Sequence, residues 1–437
     1  MTDRSAPKVW LTTLGCAKNE VDSAKLSGVL GDAGYRNAPS AGEADVVMVN
    51  TCAFIEDARR ESIDAIMELS AARSDGASLV VLGCMAQRYG NDLAAALPEA
   101  DDVVGIDRYP ELVDRLDRLT GWHPERPARP RMDILYEVRR PTPATPYAFV
   151  KIAEGCDKQC TFCAIPQFRG AQRSRSAVSI HGEVADLVAG GVGEIGLVAQ
   201  DAAAYGRDID APGGIEDLVR FVAGVEGLRR LRLYYLYPRE IRPGLIEEIA
   251  GNPIVASYFD LSLQHSAPDL LRAMKRPGSG ESHLELIGRI RDAAPDAALR
   301  SSFIVGFPGE SDEDVAGLAA FLEEARLDWA GFFPFSAEEG TPAASFARQL
   351  PSGEIMERLR YLQGIQDAVT AECNAAQIGR TFEVLIDLVE DGTPVGRSYR
   401  EAPEIDGVIV LDRGEPGEWV QARVTGAYAT DLVAEVA

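Results

Sequence analysis

Three cysteines within eight residues, Cys156-Asp-Lys-Gln-Cys160-Thr-Phe-Cys163, constrain this chain of 437 residues more than any other feature. Thiolates at this spacing can each bind one iron of a 4Fe–4S cube. A cube has one iron more than the run has cysteines, so one metal position stays open to a substrate. A zinc knuckle would want a fourth ligand, and no His or further Cys stands nearby. The run follows a predicted strand at 147–153, so the fold has to present it on a loop at a strand end.

The rest of the chain alternates in a way that suits such a loop. Candidate strands at 8–14, 45–50, 79–82 and 102–105 are each followed by a helical pattern, as at 56–73. Strand–helix alternation predicts a parallel α/β sheet over residues 7–122. Residues 121–146 carry six prolines and five arginines and read as an extended connection. Residues 142–376 hold six more strand candidates, at 147–153, 194–200, 231–236, 258–263, 299–305 and 329–335. Six β/α units are too few for a closed eight-fold barrel and predict an open one. Residues 379–437 change to short alternating runs between Gly, Pro and Asp turns, the pattern of a small antiparallel β-barrel. The fold class is therefore α/β with a β-barrel tail.

A second cysteine trio is dispersed. Cys16, Cys52 and Cys84 are 36 and 32 residues apart, and each directly follows a predicted strand. Parallel strands end on one edge of their sheet, so the three thiols are expected to converge there. This predicts a second 4Fe–4S cluster, again with an open iron. Cys373, in a long helical pattern at 352–378, has no partner in sequence and reads as a packing residue.

Composition narrows the setting. No apolar run is long enough to span a membrane, and residues 1–7 hold no apolar signal segment. A cytoplasmic protein with reduced thiols is the expectation. The formal net charge is −24. Residues 380–437 alone hold five arginines, no lysine and twelve acidic residues, a net of −7. A nucleic-acid-binding barrel should show a basic footprint. An acidic one suits a basic protein partner.

The C-x3-C-x2-C run is similar to that of the radical S-adenosylmethionine (SAM) enzymes. The two trios in this order resemble the methylthiotransferases over nearly the whole chain. The resemblance implies an N-terminal cluster domain, a radical SAM barrel and a C-terminal TRAM barrel. It also implies replacement of C–H by C–S–CH3 with two molecules of SAM, one giving the methyl group and one the 5′-deoxyadenosyl radical. An unactivated C–H bond has no acidic proton for a side-chain base, so the cofactor carries the chemistry. No catalytic acid or base is identified.

Within that family, Leu14-Gly15-Cys16-Ala17-Lys18-Asn19-Glu20-Val21-Asp22-Ser23 resembles the branch that modifies the β-carbon of an aspartate in small-subunit ribosomal protein number twelve. Ser398-Tyr399-Arg400-Glu401-Ala402-Pro403-Glu404-Ile405-Asp406-Gly407 resembles that branch's lead into its TRAM domain. Ala17 departs from the branch's usual proline, and the stretch 198–206 lacks its threonine pair. The resemblance implies a basic ribosomal protein or the small ribosomal subunit as substrate, together with an electron donor. The other readings are modification of tRNA adenosine, which the charge disfavours, and a non-catalytic iron–sulfur protein. Strand ends of such barrels face the site, and the resemblance puts Gln264 and His265 in the cavity and Gly306 beside the adenine of SAM. A buried structural His and a plain strand-to-helix turn are the other readings. Gln200 ends the second strand by the same logic, and Arg300, within the fifth strand, contacts SAM or the substrate carboxylate or forms an ion pair. Gly306 is expected to admit a ligand close to the backbone. Phe162, between cluster cysteines, is expected to shield the first cluster or to serve in packing. Asp201 follows Gln200 by the same logic.

Overall fold

The β-branched runs at the start of the chain pair as a parallel sheet in the computed structural model, which describes residues 6–125, 133, 138–211 and 213–437. Residues 126–132 and 134–137 of the Pro/Arg-rich connection lie outside the described residues. Strands β1 (Lys8–Thr13), β2 (Arg36–Asn37), β3 (Val46–Thr51), β4 (Ser78–Leu82) and β5 (Asp102–Val104) take the order β2-β1-β3-β4-β5. Every residue of β3 is buried, as a central strand covered on both faces requires. Successive side chains go to opposite faces. Met48 and Val80 join Leu26, Leu30 and Tyr109 in one core, and Val47, Val49 and Val81 join Ile66 and Leu93 in another.

Two compact units divide the chain. One comprises Met1–Pro141, Glu154–Asp157 and Cys163–Gln172; the other comprises Thr142–Ala153, Lys158–Phe162 and Arg173–Ala437. The cysteine run is thus divided, with Cys156 and Cys163 in the first unit and Cys160 in the second. Apart from Glu154–Asp157 and Cys163–Gln172, the segments read from sequence as barrel and tail fall together in the second unit.

That unit starts with β6 (Tyr147–Lys151). The short β7 (Ala153–Glu154) and β8 (Arg173–Ser174) flank the cysteine run in sequence. Then follow β9 (Glu194–Val198), β10 (Arg230–Leu233), β11 (Tyr258–Gln264), β12 (Ala298–Val305) and β13 (Trp329–Pro334). β6, β9 and β10 form one parallel sheet, and β11, β12 and β13 another. Leu231 bridges to Val255 and Leu236 to Leu261 across the seam. The result is a six-strand parallel wall with β6 and β13 as its outer strands. Val150, Ile195, Leu197, Leu231, Phe259 and Phe303 belong to its core. Strands β14 (Thr381–Glu390), β15 (Thr393–Arg397), β16 (Ile409–Leu411), β17 (Trp419–Tyr428) and β18 (Asp431–Val436) close into a barrel around Phe382, Val384, Ile386 and Leu432.

The tail segment 397–406 lies across the starts of the barrel strands. Glu194, the first residue of β9, receives hydrogen bonds from Arg397 at 3.0 Å, Arg230 at 3.1 Å and Arg232 at 3.2 Å. Arg232 also donates to the Tyr399 carbonyl at 2.7 Å. The Tyr147 hydroxyl donates to Glu404 at 3.0 Å and that of Tyr258 to Asp406 at 2.7 Å. Arg400 donates to Asp328 at 2.7 Å, just before β13. A buried ion is expensive unless it is paired and hydrogen-bonded, and removing one partner leaves the other uncompensated.

Burial pushes the Glu194 carboxyl up, but Arg397, Arg232 and Arg230 outweigh it and hold its pKa at about 2. A carboxyl held lower in the folded than in the unfolded chain contributes stability above its unfolded pKa. That contribution fades as pH falls toward the folded value. Glu194→Gln is therefore expected to cost about 3 kcal/mol in urea unfolding at pH 7. Its deficit relative to the unsubstituted protein should shrink as the measurement moves from pH 5 toward pH 2.

Candidate functional site

In the first unit the strand-end cysteines come together. Cys16 caps the helix Ala17–Asp32 after β1, Cys52 follows β3 directly, and Cys84 is the second residue of the helix Gly83–Ala96 after β4. A Cβ on Gly15 would stand 2.8 Å from the Cβ of Cys52, and one on Gly83 would stand 2.2 Å from Asn50 Oδ1. The loops meet this closely only because neither glycine has a side chain.

Asn19 fastens these loops. It is fully buried, and its Nδ2 donates to the carbonyls of Leu14 at 2.9 Å and Thr51 at 3.0 Å. Its Oδ1 accepts from Arg169 at 2.7 Å. Asn50 donates to the Asn19 carbonyl at 3.0 Å and to Ser23 at 2.9 Å. Asn19, Asp22 and Ser23 are spaced for one helix face, which explains the polar content of a buried stretch.

The thiols sense one another. Burial, with Cys16 and Cys84 beside it, pushes the Cys52 thiol up to about 12. Burial also raises Cys84 against the pull of Arg169. For Cys16 burial is outweighed by Lys18 and Arg169, which hold the thiol below its usual value. Among the described residues no three His, Cys, Asp or Glu side chains are grouped as for a single metal ion. The ligands of a cube bind different irons and stand farther apart than those of one ion. A trio of thiols, soft donors with a cation beside them, suits an iron–sulfur cube.

In the second unit the strand ends carry a charged cluster. Lys158, two residues after Cys156, stands 3.4 Å from Asp201 and 2.5 Å from Glu240, with its ammonium 4.5 Å from the Tyr237 ring centre. Burial raises the Asp201 carboxyl despite Lys158. Arg276 places its guanidinium 4.2 Å from the same ring and donates to Cys160 Sγ at 3.5 Å and to the Ser262 carbonyl. Sequence reasoning missed both cations at this site.

The other expected contacts divide. Gln200 is half-buried beside Asp201, and Gln264 ends β11 with φ at 74°. A left-handed conformation costs a non-glycine residue about 1 kcal/mol, and such strain gathers at functional sites. Phe162 packs against the cluster of Leu270, Met274 and Phe307.

At three positions the protein's own groups make the contact. His265 is fully buried. Its Nδ1 accepts from the Ala267 N–H at 3.0 Å, which leaves the ring proton on Nε2, 3.5 Å from Glu310. Arg300 pairs with Asp260 at 3.0 Å and Asp406 at 3.3 Å, toward the strand starts rather than the ligand end. Ile355 packs against Gly306, its Cγ1 2.4 Å from where a Cβ would lie, so a helix side chain occupies the space a Gly306 side chain would need.

Residues 8–105 match the uncharacterized protein family UPF0004, residues 150–322 the radical SAM superfamily, and residues 378–437 the TRAM domain. The chain is 41 % identical over 464 residues to the ribosomal protein uS12 methylthiotransferase RimO of Saccharopolyspora erythraea, covering 99 % of this chain and 95 % of that one. Identity to the RimO of Streptomyces griseus is 41 % over 478 residues, with 98 % and 97 % covered. Identity to that of Acidothermus cellulolyticus is 43 % over 459 residues, with 98 % and 95 % covered. Among solved structures, the radical SAM methyltransferase TsrM from Kitasatospora setae superposes with a TM-score of 0.56 at 17 % identity over 77 % of each chain. The cobalamin-dependent SAM radical enzyme OxsB gives 0.51 at 13 % identity, covering 81 % of this chain and 56 % of that one. These structural likenesses are of fold alone. No helix among the described residues is long and apolar enough to cross a membrane.

The thiol environments make a chemical prediction. The thiolate is the reactive form, so a raised pKa slows alkylation. In folded, cluster-free protein at pH 8, iodoacetamide should modify Cys16 at least about tenfold faster than Cys52, as followed by peptide mass spectrometry.

Proposed function

The chain belongs to the RimO family of ribosomal protein uS12 methylthiotransferases, and we propose that it replaces a β-carbon hydrogen of an aspartate in uS12 with a methylthio group. The observation that carries this reading is the pairing of the Cys156–Cys163 run with a second thiol trio at the strand-end edge of the N-terminal sheet. Inserting sulfur and generating a radical are separate tasks, and the chain offers a separate thiol set for each. When bound, a 4Fe–4S cube on Cys156, Cys160 and Cys163 with SAM supplies the hydrogen-abstracting radical, and a cube on Cys16, Cys52 and Cys84 holds the incoming sulfur.

The protein's own residues orient and exclude. Arg276 and Lys158 border the Cys160 side of the run. An aspartate substrate brings a carboxylate, and these two cations suit it. Gln200, Asp201 and Gln264 stand at the strand ends where SAM and substrate would meet. Phe162 and the Phe307 cluster keep this region apolar, which limits quenching of reactive species by water. The acidic TRAM barrel complements a basic ribosomal protein and repels a phosphate backbone. The reaction draws on an electron donor and takes place where ribosomes are, in the cytoplasm.

The test is mass spectrometry of uS12 from a strain lacking this gene. The methylthio increment should be absent there and return on complementation; if it persists in the deletion strain, the reading fails. In reconstituted protein, Cys160→Ala should abolish cleavage of SAM to 5′-deoxyadenosine. Cys52→Ala should keep that cleavage and abolish methylthio transfer.

A further inference from the structure

Arg169 belongs to none of the motifs above, yet it lies against the second thiol trio. It ends the short helix Ile165–Arg169, six residues past Cys163 in the same unit as the trio, and it is buried. Its Nε and Nη2 donate to Cys84 Sγ at 3.3 and 3.0 Å. Nη2 also donates to Asn19 Oδ1 at 2.7 Å, while Nη1 donates to Asp22 at 2.9 Å and to both oxygens of Glu154 at 3.1 Å.

Two carboxylates already more than balance one guanidinium, so Arg169 does not need the sulfur for its own neutrality. They hold the fork while its other edge grips Cys84. A planar guanidinium offers two parallel donors to one sulfur and a third to Asn19, which a lysine ammonium cannot reproduce. Hydrogen bonds to ligand sulfurs help set a cluster's potential. Such bonds favour the reduced, more negative state, so removing them lowers the potential.

We propose that Arg169 is a positioning residue for the second cluster, fixing Cys84 Sγ and raising the potential of the cube bound there. The same short segment then carries Cys163 for one cube and, in Arg169, the hydrogen-bond donor to a ligand sulfur of the other. This rests on the reading that Cys16, Cys52 and Cys84 bind a cube, and the experiment separates the two.

In full-length protein carrying Cys156→Ala, Cys160→Ala and Cys163→Ala, only the second cube remains. If that protein with Arg169 intact holds no iron after reconstitution, the two-cluster reading itself fails. Given a loaded cube, Arg169→Lys should move its midpoint potential, read by an EPR redox titration, to more negative values. In the complementary background of Cys16→Ala, Cys52→Ala and Cys84→Ala, the same change should leave the first cube's potential unmoved. Arg169→Gln, with no cation left for Asp22 and Glu154, should lose iron from the second cube while the first keeps its own. A midpoint unchanged by Arg169→Lys overturns the proposal. An equal shift of both cubes also overturns it, since that would mark a general disturbance of the fold.

Discussion

Parallel strands all run out at one edge of their sheet, and the rest of this structure follows from how that edge is used. Thr13, Thr51 and Leu82 end three neighbouring strands, so residues 36 and 32 positions apart in sequence arrive side by side. Convergence alone would only crowd three loops. Gly15 and Gly83 remove the side chains that would collide, and Asn19 ties two of the loops by their carbonyls. The trio thus depends on topology first, on two absent side chains second, and on one amide third. The barrel repeats the arrangement with Lys158, Asp201, Glu240 and Arg276 at its own strand ends.

The opposite edge has the reverse problem. Strand starts left open would admit water to a barrel interior that must stay dry. This chain closes them with charge rather than with apolar residues. Three arginines around one glutamate would leave excess positive charge, and the surplus is taken up by Asp387 and by carbonyls of Glu383, Arg397, Ser398 and Tyr399. Such a network is a weak source of stability because each ion is desolvated. It is a strong source of register, because any slip of the tail segment would strand a buried ion. The stretch 398–407, which in sequence resembles a family marker, acts here as the seal between two barrels.

What could be read from the sequence was whatever repeats or clusters locally. The Cys156–Cys163 run, the six barrel strands and the alternating tail carry their own periodicity, and the dispersed trio was legible because each cysteine sits at the same place relative to a strand. Residues whose meaning lies in a distant partner were not. Arg169 meets Glu154 at a separation of 15, but Cys84, Asp22 and Asn19 at 85, 147 and 150. Arg300 lies on a barrel strand, but its partner Asp406 comes from the tail, and Gly306 faces Ile355 from a helix that begins 46 residues later. For His265 the strand-end position was readable, but the Glu310 that closes over it was not. Position along a strand says which end a residue occupies; only tertiary packing says whether a ligand or the protein fills the space there.

The charge of the tail also means more in three dimensions than as a count. Of its five arginines, Arg397 and Arg400 are buried and paired inward, with side-chain exposures of 2 and 3 %. Arg380 and Arg413 are engaged with Asp296 and Asp412, and Arg423 is exposed. Glu390, Asp391, Glu404, Glu415, Glu418 and Glu435 face outward. The outer face of the barrel is therefore acidic, with Arg413 and Arg423 as its exposed cations. A phosphate backbone gains its affinity by releasing counterions to basic side chains, and this face offers it few. A lysine- and arginine-rich protein meets the opposite field, which steers its approach over a Debye length of about 8 Å at physiological salt. The two arginines that help close the barrel, Arg397 and Arg400, are thus engaged inside the fold, and the exterior of the tail is left mostly to carboxylates.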